Sequence, residues 1–280
     1  MTVEELQAQR DGYIYIHDMS ARRDTMNCCL FDVGAVLRGG FEMGNLWYNE
    51  PKTLNVAFDV IGDIVLSAAS QQYGGFTVPS VDLLLEPYAE RSYKMMTEKY
   101  TRVGRDADTG EKEVMADILN DFGQGVQGGE YKFNTVASSR GDYPFITMTM
   151  GTGTGRFAKL ASITMLNVRR KGQGKKGQKK PVLFPKLVFL YDENLHGPGK
   201  PLEDVFEAGI LCSSRAMYPD WLSLTGEGYV PSMYKKYGAL VSPMGCRAFL
   251  SPWFERGGMK PADENDTPVF VGRWDIGAVS

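Results

Sequence analysis

Two histidines and four cysteines are all the soft metal ligands that 280 residues offer. No two cysteines form a CxxC pair, so neither a four-cysteine zinc site nor a disulfide framework is legible, and histidine scarcity disfavours a polyhistidine centre. No run of about 18 apolar residues exists to span a membrane. The amino terminus, MTVEELQAQRDG, is polar and acidic, unlike a secretion signal. Charge excess is missing too: 31 Lys+Arg against 34 Asp+Glu leave −3, which gives no global cue for nucleic acid. What remains is an ordinary globular composition, 43% hydrophobic and 23% charged. A chain of this length buries roughly three-quarters of its unfolded surface and needs no cross-links to fold. A reduced, cytoplasmic protein with neither a membrane nor a nucleic-acid partner is expected.

Strand and helix patterns alternate along the chain without internal repeats. Residues 2–10 read as a helix ending at Asp11-Gly12, and Tyr13 to Asp18 as an apolar strand ending in polar groups. Asn27 to Val33 is a buried strand or a helix start. Helical spacing covers 53–73, closed by Gly74-Gly75, and 80–103, opened by Ser80 as N-cap. A polar, Gly-rich stretch at 104–129 carries no assigned element. Strands follow at 143–150 and 181–190, with helices at about 156–169 and 202–216. Strands separated by helices predict an α/β fold with a largely parallel sheet, whose site residues lie at strand ends.

Two motifs invite phosphate. Gly151, Gly153 and Gly155 lie between a strand and a helix, where free N–H groups favour anions, but the pattern is not the dinucleotide fingerprint and a tight packed turn is the favoured reading. Arg169 to Lys180 holds seven cations, among them Lys175, Lys176, Lys179 and Lys180, with glycines at 172, 174 and 177. It reads either as a solvated loop or as a nucleotide-phosphate clamp that is mobile when empty. The cysteines separate by setting. Cys28-Cys29 lies in an apolar segment, where alternation lets at most one enter a given site. Cys212 sits in a helical pattern and reads as core. Cys246, between Ser242-Pro243-Met244-Gly245 and Arg247, is a loop thiol. With so few histidines to serve as its base, redox or radical chemistry fits it better than nucleophilic catalysis.

Seven ordered blocks then carry a resemblance over nearly the whole chain. They are Gly12 to Asp18, Met26-Asn27-Cys28, Gly39 to Asn45, Tyr73 to Thr77, Phe184 to Phe189, Met217 to Asp220, and Pro243-Met244-Gly245-Cys246-Arg247. Together they resemble the catalytic subunit of anaerobic (class III) ribonucleoside-triphosphate reductases, which are glycyl radical enzymes. The resemblance implies the first half of a ten-stranded α/β barrel. Cys246 would be the tip of a central loop, becoming a thiyl radical that takes the ribose 3′ hydrogen. Cys28 would donate a hydrogen atom on the other ribose face, and Cys29 would have no catalytic part. His17, Asp18, Gly245 and Arg247 are implied substrate contacts, and the four lysines an effector site. Asp275 stands where the family typically has asparagine; a carboxylate there could take the 3′-hydroxyl proton as a general base, or it could repel a triphosphate or formate and mark a decaying enzyme.

The same resemblance implies a glycyl radical made by a radical S-adenosylmethionine activase, and formate or a thioredoxin-type reductant. It also implies ATP or deoxynucleotide effectors, a ribonucleoside triphosphate substrate and a homodimer. The second half-barrel, the zinc site, the glycyl radical segment and the ATP cone are not matched within residues 1–280. The sequence therefore reads as an incomplete catalytic barrel domain, inactive without a carboxy-terminal half. A nonenzymatic nucleotide-binding remnant is the alternative. A formate-lyase relative fits less well, because its paired-cysteine loop is not matched around Cys246.

Overall fold

The computed structural model describes residues 2–14, 28–72, 74–137, 141, 143–237, 242–243 and 274–275. The chain opens with α1 (Val3–Arg10), fixed by a reciprocal cap in which Thr2 Oγ1 accepts the Glu5 N–H and Glu5 accepts the Thr2 N–H. Tyr13 and Ile14 form no strand, and the rest of the segment expected to be a strand, like Tyr73, lies outside the described residues. The segment at 27–33 proves to be both alternatives in succession. β1 (Cys29–Phe31) passes through Asp32, whose side chain caps α2 (Val33–Leu37). A hairpin, β2 (Phe41–Met43) and β3 (Leu46–Tyr48), precedes α3 (Leu54–Ala69). That helix ends at Ser70, short of the expected Gly74-Gly75, which instead leads into β4 (Phe76–Val78).

Ser80 occupies the N-cap position of α4 (Val81–Arg102) but makes no side-chain cap bond. Its backbone is left-handed, with φ 47°, and its N–H donates to Thr149 Oγ1 at 2.9 Å. The largest correction is α5 (Ala107–Thr135), a helix of 29 residues where the sequence looked like a polar connection. Its core stripe is Val114, Ile118, Phe122 and Val126, one residue per turn, and Asp106 caps it. β5 (Ile146–Met150), α6 (Arg156–Lys171), β6 (Lys186–Tyr191), α7 (Glu203–Ala216), β7 (Asp220–Ser223), α8 (Tyr229–Tyr237) and β8 (Trp274–Asp275) complete the order. Among the described residues no helix is long and apolar enough to cross a membrane.

The main sheet runs β7-β6-β5-β4-β1-β8. Its first five strands are mutually parallel, as the alternation of strands and helices predicted, and β8 lies antiparallel on β1. Alternation assigns the two faces. Cys29, Phe31, Phe76, Val78, Ile146, Met148, Met150, Leu187 and Phe189 join α3 to α7 in one core. Full burial of each phenylalanine contributes about 1.5–3 kcal/mol. Thr77, Thr147, Thr149, Val188 and Leu190 take the alternating positions on the other side, called here the inner face. α8 packs there, with Val230 and Tyr234 against Val188, Leu190 and Leu224.

Candidate active site

At the head of β1, Cys28 and Cys29 separate as alternation requires. Cys29 is fully buried on the helix side and donates its S–H to Gln72 Oε1 at 3.1 Å. Burial pushes its thiol up to about 12, so it stays protonated. Cys28 is buried outside that core and accepts the Gly75 N–H at 3.2 Å. Gln72 sets this geometry: its amide donates to the carbonyls of Gly74 and Gly75, at 3.2 and 3.0 Å, fixing the turn whose N–H holds the Cys28 sulfur. Cys212 lies in the core under α7, its thiol raised by burial to about 11, as its helical pattern predicted.

β8 brings a second candidate close. Asp275 opposes Leu30 in register, two residues along β1 from Cys28. A third candidate, Cys246, lies outside the described residues together with His17, Asp18, Gly245 and Arg247. Ser242, ahead of it in the sequence, is among the described residues. Ser242 is buried and donates from Oγ to Thr149 Oγ1 on the inner face, at 3.1 Å. Cys246 is the fourth residue after Ser242, a reach of at most about 14 Å.

Hydroxyls line the same face, and sequence reasoning missed them. Leu30, Thr77, Thr147 and Lys186 form one continuous row in the register of β1, β4, β5 and β6. Thr77 and Thr147 are 0% and 2% exposed, and among the described residues neither Oγ1 has a hydrogen-bond partner. An orphaned buried hydroxyl costs about 1–3 kcal/mol, so a pair of them is a conspicuous expense in a folded protein. Their only sequence signal is the alternation Thr-Val in β4 and Thr-Met-Thr in β5, which marks a face and not a role.

The glycine loop resolves in favour of packing. Asp82 on α4 places one carboxylate oxygen on the N–H groups of Gly151 and Gly153, at 2.9 and 3.0 Å, and receives Ser162 Oγ at 3.3 Å. The protein's own anion thus fills the cradle that a phosphate would need. A Cβ on Gly153 would strike Ala158, and one on Gly155 would strike Glu86. Burial raises the pKa of Asp82 while the loop N–H groups pull it down. His196, unassigned by sequence, accepts the Asp192 N–H on Nδ1 and donates from Nε2 to Gly151 O at 2.7 Å. That network fixes its neutral tautomer, and desolvation lowers its pKa. Asp82 and His196 therefore hold Gly151 from both sides, at the carboxyl end of β5.

The cationic loop splits in two. Arg169 is fully buried, paired with Glu130 at 2.9 Å, donating to Pro185 O and lying over the Tyr218 ring. Beyond it Gln173 and Lys180 pair antiparallel, closing a small hairpin on which Lys175, Lys176, Lys179 and Lys180 are exposed. A loop running from α6 into β6 lies at the amino ends of the strands.

Comparison with known proteins places this arrangement. The sequence profile of the family described as anaerobic ribonucleoside-triphosphate reductase matches residues 1–280. The chain belongs to the anaerobic ribonucleoside-triphosphate reductase family. It is 34% identical to the reductase of that name from Enterobacteria phage T4, over 98% of this chain and 43% of the relative. With the Escherichia coli K12 reductase it shares 32% identity, over 98% and 36% of the two chains. This stretch thus spans about two-fifths of the curated reductases it matches. In fold it is similar to the anaerobic ribonucleotide reductase of Thermotoga maritima. The structure with citrate in the active site gives a TM-score of 0.57 at 14% identity, covering 81% of this chain and 41% of the other. The structure with dATP bound in the specificity site gives 0.55 at 15%, covering 82% and 39%.

Proposed function

We propose that this chain supplies the first half of the catalytic barrel of an anaerobic reductase converting ribonucleoside triphosphates to deoxyribonucleoside triphosphates. One observation carries the reading: the Ser242–Thr149 hydrogen bond anchors the segment leading to Cys246 on the inner face, at whose edge Cys28 lies. In this reading Cys246 takes the ribose 3′ hydrogen and Cys28 returns hydrogen from the opposite side. The 2′-hydroxyl leaves as water while formate is oxidised to carbon dioxide, or a thioredoxin-type dithiol to a disulfide, so electrons balance. A glycyl radical, when present, would supply the unpaired electron. The setting of Cys28 suits such chemistry, since its sulfur is buried and held by a backbone N–H instead of water. Asp275, in register beside β1, would accept the 3′-hydroxyl proton.

Substrate binding is assigned to His17, Asp18, Gly245 and Arg247. The hairpin lysines 175, 176, 179 and 180 are assigned to nucleotide effectors, because they are exposed at the strand end away from Gly151. A radical S-adenosylmethionine activase, a homodimeric assembly and a cytoplasmic setting belong to the same proposal, as does zinc held by a portion of the relatives that this stretch does not span. The test is anaerobic turnover by the complete enzyme, meaning this chain together with that portion. With activase, S-adenosylmethionine, formate and a ribonucleoside triphosphate, the deoxynucleotide is the expected product. Nucleotide binding without any product would leave only the nonenzymatic reading.

A further inference from the structure

Thr77 and Thr147 are adjacent in register on parallel strands, on the face that holds the Cys246 approach, and both hydroxyls are buried without a partner. Each threonine hydroxyl can donate one hydrogen bond and accept others. Thr149, the next inner-face residue of β5, by contrast accepts from both the Ser80 N–H and the Ser242 hydroxyl. Among the described residues, the orphaned side-chain groups of this face are therefore a matched pair, and the orphaning does not continue along β5 to Thr149.

We infer that this pair is a positioning subsite for the vicinal diol of a ribose, so that Thr77 and Thr147 set the orientation and sugar preference of the substrate. The inference rests on the function proposed above. A diol is the complementary ligand because it too offers two neighbouring groups that donate and accept. An anion fits less well. The two threonines are neutral, and Lys186, the cation of the row, directs its Nζ over the Phe145 ring, 4.9 Å from the centroid. The flanking Leu30 and Val188 offer no charge. Because both hydroxyls are shielded from solvent, a sugar reaching them enters a site without water, where each hydrogen bond counts for more than at the surface.

Valine tests this, since it keeps the branched shape and removes only the hydroxyl. If the threonines were structural, Thr77→Val and Thr147→Val would unfold at lower temperature. If they await a ligand, the thermal midpoint of each variant stays level or rises, because an unmet polar group has been removed. In the complete enzyme, KM for the ribonucleoside triphosphate should rise about tenfold per substitution, with a smaller change in kcat. The ratio of affinities for each ribonucleoside triphosphate and its 2′-deoxy counterpart should fall toward unity. KM for formate should not change. A rise in formate KM with nucleotide KM unaltered would make the pair a carboxylate site and overturn the diol assignment. Unchanged nucleotide affinity in both variants would reduce the pair to a water site and overturn it likewise. A wild-type enzyme that neither binds nor reduces ribonucleotides would overturn the underlying function, a result distinguishable from failure of the variants alone.

Discussion

Glu130→Leu is expected to lower the unfolding free energy by about 3–5 kcal/mol, enough to unfold an ordinary domain on modest warming. Glu130 is 2% exposed and is the carboxylate paired with Arg169, itself 0% exposed. Removing it strands a guanidinium where water cannot reach, with only Pro185 O and the Tyr218 ring left to it. The hairpin loses a tie to α5, because Gln173, one of its residues, also donates to Glu130. Arg169→Met in the same protein should recover much of the loss, since it removes the stranded charge. Thermal or urea unfolding of the wild type, both single variants and the double variant measures the coupling. A Glu130→Leu protein with the wild-type midpoint would show that the pair does not hold α5 to α6.

The second large effect concerns the adjacent thiols, which the structure separates by face. Cys28→Ala should reduce anaerobic turnover of the complete enzyme to background at a modest cost in stability, since it removes one small buried side chain at the head of β1. Cys29→Ala should do the reverse. It leaves Gln72 Oε1 buried without its thiol and opens a small cavity beside Phe76, yet turnover persists because that sulfur faces the helices. Loss of activity in both variants, or in Cys29→Ala alone, would contradict the assignment of faces.

How much of this could be read in the chain depends on the range over which each feature is encoded. α3, α4, α6 and α7 announced themselves by helical spacing, because each buries one face against its neighbours. α5 did not, since five glycines and many polar residues masked its one-per-turn apolar stripe. The structure explains at least one of those glycines: a Cβ on Gly125 would strike the Phe58 ring, so the close approach of α3 forbids any side chain there. The Cys28–Cys29 alternation was local and legible; which sulfur belongs to the site came from the resemblance alone, because the bond that holds Cys29 on the helix side reaches Gln72, 43 residues away. Asp82 filling the glycine cradle, and Thr77 meeting Thr147, join segments about 70 residues apart. Such pairings arise from strand register, and no short pattern marks them. Cys246 became a candidate through its loop composition, and the Ser242–Thr149 bond then tied its neighbourhood to the inner face.

Deoxynucleotide formation by Cys246→Ser enzyme, assayed anaerobically beside the wild type with activase and formate, bears most directly on the claim that this face supports thiol-radical reduction. Serine keeps size and polarity, but its O–H bond is too strong for a glycyl radical to break, so no oxygen radical forms in place of the thiyl. The expected result is a glycyl radical formed to the wild-type extent with no deoxynucleotide produced. Deoxynucleotide production at a substantial fraction of the wild-type rate would contradict it.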